Sequence, residues 1–182
     1  MKHDQWQRAP LAGVLVHSPT IMTDKRGVFV KTFHHGMFAE AGVRFEMQEE
    51  FFSLSAKNVI RGMHFQEPPH DHAKLVMCLG GQILDVVVDL RKSQPTFGKA
   101  WFLELSEQNR RVLYIPPGLA HGFLSLTDDS LTHYKTTAMH SPAHDKGIRW
   151  DSFGLQWPVT NAVLSERDAA LPALGDFESP FA

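Results

Sequence analysis

Short runs that alternate apolar and polar residues, each cut off by turn chemistry, fill most of this chain. They fall at residues 28–33, 51–55, 59–65, 74–79, 83–90, 99–105, 112–115, 121–126 and 131–137, the period-2 pattern of half-buried strands. Between them stand Asp24-Lys25-Arg26-Gly27, Glu67-Pro68-Pro69, Gly80-Gly81, Ser93-Gln94-Pro95-Thr96 and Pro116-Pro117-Gly118, which favour tight turns. The pattern predicts roughly ten strands. Only two stretches read as helical, one near Met37 to Gly42 and one beginning near Ser165. Antiparallel strands of this kind must close or stack to bury one face and protect their edges, so an all-β barrel or double-sheet jelly roll with short peripheral helices is expected. The segment from Ser165 to Ala170 is expected to pack on its outside or at its mouth.

The chain of 182 residues is 43% apolar and 21% charged, with a formal charge of −2, the profile of a single domain over residues 1–182. A domain of this size can bury roughly 70% of its unfolded surface and needs no disulfide or structural metal to fold. The single cysteine, Cys78, has no internal partner, in keeping with a reducing compartment. Met1 to Trp6 lack the apolar stretch of a secretory leader, and no apolar run approaches the roughly 20 residues of a membrane span; a cytoplasmic protein is expected. Charges are balanced and unclustered, which argues against nucleic-acid and membrane partners. Histidine is prominent, with 11 copies, and can act both as a base near neutral pH and as a metal ligand.

The densest run of chemistry is Arg61-Gly62-Met63-His64-Phe65-Gln66, followed by His70, His72 and Lys74. Strand alternation puts Arg61, Met63 and Phe65 on one face and His64 with Gly62 on the other, where the glycine leaves room for a close neighbour. His64 is then either a base or ligand in a barrel mouth or a satisfied core histidine. Lys74 shares a side with Val76 and Cys78; it is a pocket cation if that side faces inward and an exposed strand-end charge otherwise. Tyr134 shares a face with Thr132 and Thr136. Asp85 and Asp89 share one with Val87, either as an exposed polar face or as groups that orient the pocket. Asp168 completes Ser165-Glu166-Arg167-Asp168, which reads as a helix-capping sequence.

Pro116-Pro117-Gly118-Leu119-Ala120-His121 matches part of the second cupin motif. With the His70-Asp71-His72 pair it offers a metal reading through His70, His72 and His121. No Glu or Asp follows between Ala73 and Leu84 to supply the usual carboxylate.

Taken together, Arg61 to Gln66, Pro68-Pro69, Lys74-Leu75-Val76, Asp85 to Arg91, Pro95 to Gly98, Ile115 to Phe123 and Tyr134 to Thr137 resemble the dTDP-4-dehydrorhamnose 3,5-epimerase family. The resemblance runs in order from about Asp24 to Pro158, with Leu164 to Asp168 also in place. It implies a cupin-type jelly roll without metal or other cofactor, and a homodimer that exchanges strands so that each site borrows residues from its partner. It further implies His64 as general base, Asp168 as its paired carboxylate, Tyr134 as proton donor and Lys74 as the cation beside a keto oxygen. Arg61 and His121 fall on substrate-binding positions, Arg26 on one that reaches the nucleotide, and Asp85 where it would orient His121. Such an enzyme inverts C3, C5 or both of a nucleotide-diphosphate 4-keto-6-deoxy sugar. A metal-dependent cupin enzyme and a non-catalytic sugar-nucleotide binder are the competing readings. A pure binder has no need of a base and an acid on opposite faces.

The chain departs from the family around the nucleotide. Lys31 stands where the family usually has Glu, Glu49 and Phe51 stand where it commonly has Gln and Asn, and Ala138-Met139-His140 replace Asn-Tyr-Tyr, leaving His140 as the stacking candidate. A one-residue shift that would keep Gln48 is the other alignment. Exchanging a carboxylate for a cation and an amide for a carboxylate reverses the donor and acceptor pattern offered to a base or ribose, which raises CDP- or GDP-linked sugars as alternatives to dTDP.

Overall fold

The computed structural model describes residues 5–182; Met1 to Asp4, part of the N-terminal stretch read above, lie outside the described residues. Among those described, thirteen strands follow in order: β1 (Gln5–Arg8), β2 (Leu15–Ser18), β3 (Ile21–Asp24), β4 (Gly27–Val30), β5 (Glu49–Ser55), β6 (Ile60–Gln66), β7 (Lys74–Gly80), β8 (Gln82–Asp89), β9 (Ala100–Ser106), β10 (Val112–Ile115), β11 (Leu119–Ser125), β12 (Ser130–Thr136) and β13 (Asp145–Gly147). Two short helices, α1 (His35–Glu40) and α2 (Glu166–Ala169), and a 3-10 turn at Leu174–Asp176 accompany them. A six-stranded sheet in the order β1-β2-β10-β7-β12-β5 faces a five-stranded sheet in the order β13-β6-β11-β8-β9, and β3 with β4 forms a separate hairpin. This is the cupin-type jelly roll expected from the alternating runs.

Three apolar layers follow from the pattern. Between the sheets, Val76 and Cys78 of β7, Ile83 and Val87 of β8, Phe123 of β11 and Tyr134 of β12 form one cluster. Outside the larger sheet, Phe38 of α1 packs with Leu75 and Met77. Outside the smaller one, Val86 and Val88 meet Phe65 and the C-terminal Phe177 and Phe181. Because both faces of β8 are covered, Val86, Val87 and Val88 are all buried, as in any strand packed on two sides.

The ends of the elements differ from the alternating pattern where it is shortest. The strand expected at 28–33 ends at Val30 and is half of the β3–β4 hairpin, turning at Lys25 and Arg26. Strands β1, β2, β3 and β13 have three or four residues each, too few to display a period. Helix α1 starts at His35, two residues before its expected start, with the His34 side chain accepting the Met37 N–H. Helix α2 begins where expected, capped by Ser165 Oγ on the Asp168 N–H at 3.0 Å.

Candidate active site

A cleft of about 580 Å³ is lined by both sheets: Arg61 and His64 of β6 and His121 of β11 on one side, Lys74 of β7, Tyr134 of β12 and Glu49 and Phe51 of β5 on the other, with α2 at its mouth. One irregularity builds its floor. His121 of β11 stands opposite His64 of β6, but Phe123, two residues on, stands opposite Arg61, three residues back. Strand β6 therefore carries one extra residue, a β-bulge, and Arg61 joins His64 in the cleft. This corrects the simple alternation, which put the two on opposite faces. The close neighbour that Gly62 leaves room for is the backbone of β11: a Cβ there would lie 2.6 Å from Gly122 Cα and 2.7 Å from the His121 carbonyl oxygen. With φ at +122°, the position suits glycine on both counts.

His64 Nε2 lies 2.7 Å from Asp168 Oδ1, and Asp168 Oδ2 accepts the Gly62 N–H at 3.1 Å. Asp168 thus serves two ends, its backbone capped by Ser165 and its carboxylate on the imidazole. Burial opposes ionisation of Asp168, yet the hydrogen bonds from His64 and Gly62 hold its carboxyl below the usual range. The His64 side chain keeps 28% of its surface exposed against 6% for Asp168, so the imidazole meets the cleft and the carboxylate backs it. An Asp fixing one ring nitrogen leaves the other directed at a ligand.

Lys74 faces inward with Val76 and Cys78, as one of its two sequence readings required, and its Nζ donates to the His64 carbonyl at 3.4 Å. Burial pushes the Lys74 ammonium down to about 8, while Asp145 and Asp85 pull it back up. Asp85 Oδ2 lies 2.9 Å from His121 Nε2, both groups almost wholly buried; burial raises the Asp85 carboxyl against the pull of His121. Asp89 is a different case. Its carboxylate accepts from Arg91 at 2.8 Å and from Thr96 at 2.6 Å, which ties the turn after β8 and plays no part in the cleft. Tyr134 is buried, and burial followed by the nearby Asp85 raises its phenol above the ordinary range, so the hydroxyl keeps its proton at neutral pH.

The rim is built from the edge strand β5 and from segments beyond β12. Glu49 and Phe51 alternate into the cleft from β5; Gln48 precedes the strand. Glu49 Oε2 accepts the His140 N–H at 2.7 Å. His140 Nε2 and Arg167 Nη2 both reach Asp145 Oδ2, at 3.1 Å and 2.9 Å. Asp145, Arg167 and Gln66 line the cleft without having been singled out as site residues. Gln66 could have been found, since it alternates with His64; Asp145 sits on a three-residue strand that gives no signal. Arg26 and Lys31 are not brought to this cleft: both are exposed on or just after the hairpin, and Arg26 pairs with its neighbour Asp24.

The three histidines of the metal reading are held apart. His70 packs its ring on His144 at 4.3 Å, His72 Nδ1 lies 3.1 Å from Gln66 Nε2, and His121 is on Asp85. Burial and the adjacent Lys74 push His72 down to about 4. Among the described residues no three His, Cys, Asp or Glu side chains are placed to hold a metal ion.

Comparison with known proteins identifies the family. The family model described as dTDP-4-dehydrorhamnose 3,5-epimerase matches residues 8–176. The chain belongs to the dTDP-4-dehydrorhamnose 3,5-epimerase family. It is accordingly an enzyme of the isomerase class. A curated dTDP-4-dehydrorhamnose 3,5-epimerase of Shigella flexneri is 42% identical over 164 residues, covering 88% of this chain and 91% of its own. The crystal structure of the dTDP-4-dehydrorhamnose 3,5-epimerase from Bacillus anthracis, with TDP and PPi bound, superposes with a TM-score of 0.92 at 34% identity, over 94% of this chain and all of the other. A 3'-monoepimerase from Streptomyces bikiniensis, in complex with dTDP-quinovose, gives 0.87 at 32% identity, over 93% and 88%. Among the described residues no helix is long and apolar enough to cross a membrane.

Proposed function

We propose that this enzyme inverts C3, C5 or both of a nucleotide-diphosphate 4-keto-6-deoxy sugar, dTDP-linked in its relatives, using its own side chains and no metal or redox cofactor. A 4-keto group acidifies the neighbouring C–H bonds, because the electron pair left by deprotonation spreads onto oxygen as an enolate. His64, steadied by Asp168, takes the proton; a base works best with a pKa near the working pH, the range of imidazole. Lys74 then stabilises the charge on oxygen in a site largely shielded from water. Tyr134 gives its proton to carbon on the other face, the enolate returns to a ketone, the phenolate regains a proton from solvent, and the imidazolium of His64 releases to solvent the one it took. The sugar enters and leaves at one oxidation state, so no electron acceptor is required.

One observation carries the reading: His64 and Tyr134 project into the cleft from opposite sheets, on β6 and β12, so a sugar ring between them has a base on one face and an acid on the other. Exchange followed by NMR in deuterated water, with 4-keto-6-deoxy hexoses on dTDP, CDP and GDP, tests it. Deuterium at C3, C5 or both is the expected result and names the nucleotide as well. No exchange with any of the three overturns the reading.

The working unit in this reading is a homodimer. Hairpin β3–β4 exposes Ile21, Met22, Val28 and Phe29, apolar surface that calls for cover, and among the described residues β5 ends its sheet with an unpaired edge. A second copy that takes up the hairpin would carry Arg26 to the neighbouring cleft. Mixing subunits that bear Arg26→Ala with subunits that bear His64→Ala should restore about a quarter of the activity, since half the dimers are mixed and each holds one intact site. No restoration would mean that Arg26 does not act across subunits.

A further inference from the structure

Phe51 and Tyr134 are directly opposite residues of β5 and β12, and their rings stack with centroids 4.7 Å apart and planes inclined by 17°. The Tyr134 ring also meets the edge of His121 at 6.0 Å and 73°. His121 is fixed in turn by the buried Asp85. The tyrosine is therefore held between an imidazole from the facing sheet and a phenyl from its own. The two contacts are unequal in security. His121 is anchored at the centre of its sheet, whereas Phe51 belongs to the edge strand and is 44% exposed. A half-exposed phenyl gains little from its own burial; most of what it contributes is the flat surface laid against Tyr134.

We propose that Phe51 is a positioning residue that holds Tyr134 in its donating orientation, and so sets how often an abstracted proton ends in inversion. This rests on the epimerase reading above. Once His64 has taken a proton, the enolate has two exits. Tyr134 can protonate the far face, which inverts the centre. The imidazolium can return a proton to the near face, which restores the starting sugar and leaves deuterium there if the imidazolium has first exchanged with solvent. Removing the Phe51 ring opens a space as wide as an aromatic ring beside the phenol. The tyrosine can then turn away from the ring carbon, and small misplacements of a reacting group carry large rate penalties. The near-face exit is untouched, because nothing on β6 has changed.

The experiment compares wild type, Phe51→Ala, Phe51→Leu and Phe51→Tyr in deuterated water with the dTDP-linked 4-keto-6-deoxy hexose. Two rates are followed by NMR, deuterium entering the sugar and inverted product appearing. In Phe51→Ala, with both rates read at saturating substrate, the ratio of inversion to exchange should fall about tenfold. Phe51→Leu keeps the bulk but not the flat face and should show the same change in ratio, which covers the case of an alanine variant that fails to fold. Phe51→Tyr restores the ring and should restore the ratio. A second readout needs no turnover: the chain has two tyrosines, Tyr114 and Tyr134, and ring-labelled NMR should show Tyr134 flipping faster in Phe51→Ala and Phe51→Leu with Tyr114 unchanged. Equal losses of exchange and inversion, or an unaltered flip rate, would overturn the assignment of Phe51 while leaving the epimerase reading in place. Absence of exchange in the wild type would overturn both.

Discussion

The floor of the cleft and its rim are made differently. On the floor, each group with a proposed chemical role is tied to a neighbour across strands or from α2: His64 to Asp168, His121 to Asp85, Lys74 to the His64 carbonyl, Tyr134 to Phe51 and His121. At the rim, Glu49 begins the edge strand and His140 lies in the segment after β12, while Arg26 and Lys31 stay away from the cleft, on and just after an exposed hairpin. Floor positions are fixed by the pairing of the sheets, so few substitutions fit them. Rim positions lie on the edge strand and in the segment after β12, and these are also where the proposed correspondence has the chain leave the family pattern. In the proposed reading, reaction type and ligand choice are thus carried by parts of the molecule with different freedom to change.

The largest test of that division removes the base. His64→Ala should lower turnover by about a thousandfold or more, with a thermal unfolding midpoint close to wild type because the side chain is partly exposed. Retained turnover would deny the floor its proposed chemistry. Tyr134→Phe comes next: inversion should fall about a hundredfold, and deuterium exchange distinctly less, as the NMR assay above would register. Equal losses would remove the distinction between base side and acid side.

A pH profile sharpens the floor further. With its ammonium pushed down to about 8 by burial, Lys74 loses its charge as pH rises through that value, so turnover should decline on the alkaline side with a midpoint near 8. Lys74→Arg keeps its charge and should move that decline upward; an unmoved alkaline limb in this variant assigns the titration to another group. The smallest effect belongs to the rim. Glu49→Gln should leave turnover at saturating substrate within about twofold and shift relative affinity among dTDP, CDP and GDP by about three- to tenfold, roughly 1 kcal/mol, because a lone acceptor becomes a donor as well. A large loss of turnover instead would make Glu49 part of the floor.

Much of the fold was legible because alternation is a direct image of a half-buried sheet. Runs such as 74–79 and 131–137 reappear as β7 and β12 with shifts of a residue at their ends. The floor was legible in a different way. Spacing alone left Lys74, Asp85 and His64 each with two readings, and the family resemblance chose between them. Two features were out of reach. The extra residue in β6 cannot be read from one strand, since a bulge is defined by the partner's count, and so alternation misplaced Arg61. The Phe51–Tyr134 stack joins residues 83 positions apart by number, through a register that no local pattern encodes.

The bulge in β6 also limits how this protein can change over time. Arg61 and His64 face one way because β6 spends three residues where β11 spends two, and Gly62 lies against Gly122 with no room for a side chain. The shared orientation is stored in a number of residues rather than in their identities. Point changes around the rim can retune what enters the cleft one step at a time. Loss or gain of a single codon within β6 would turn the guanidinium or the imidazole to the far side of the sheet in one stroke, a change that no neighbouring substitution could reverse.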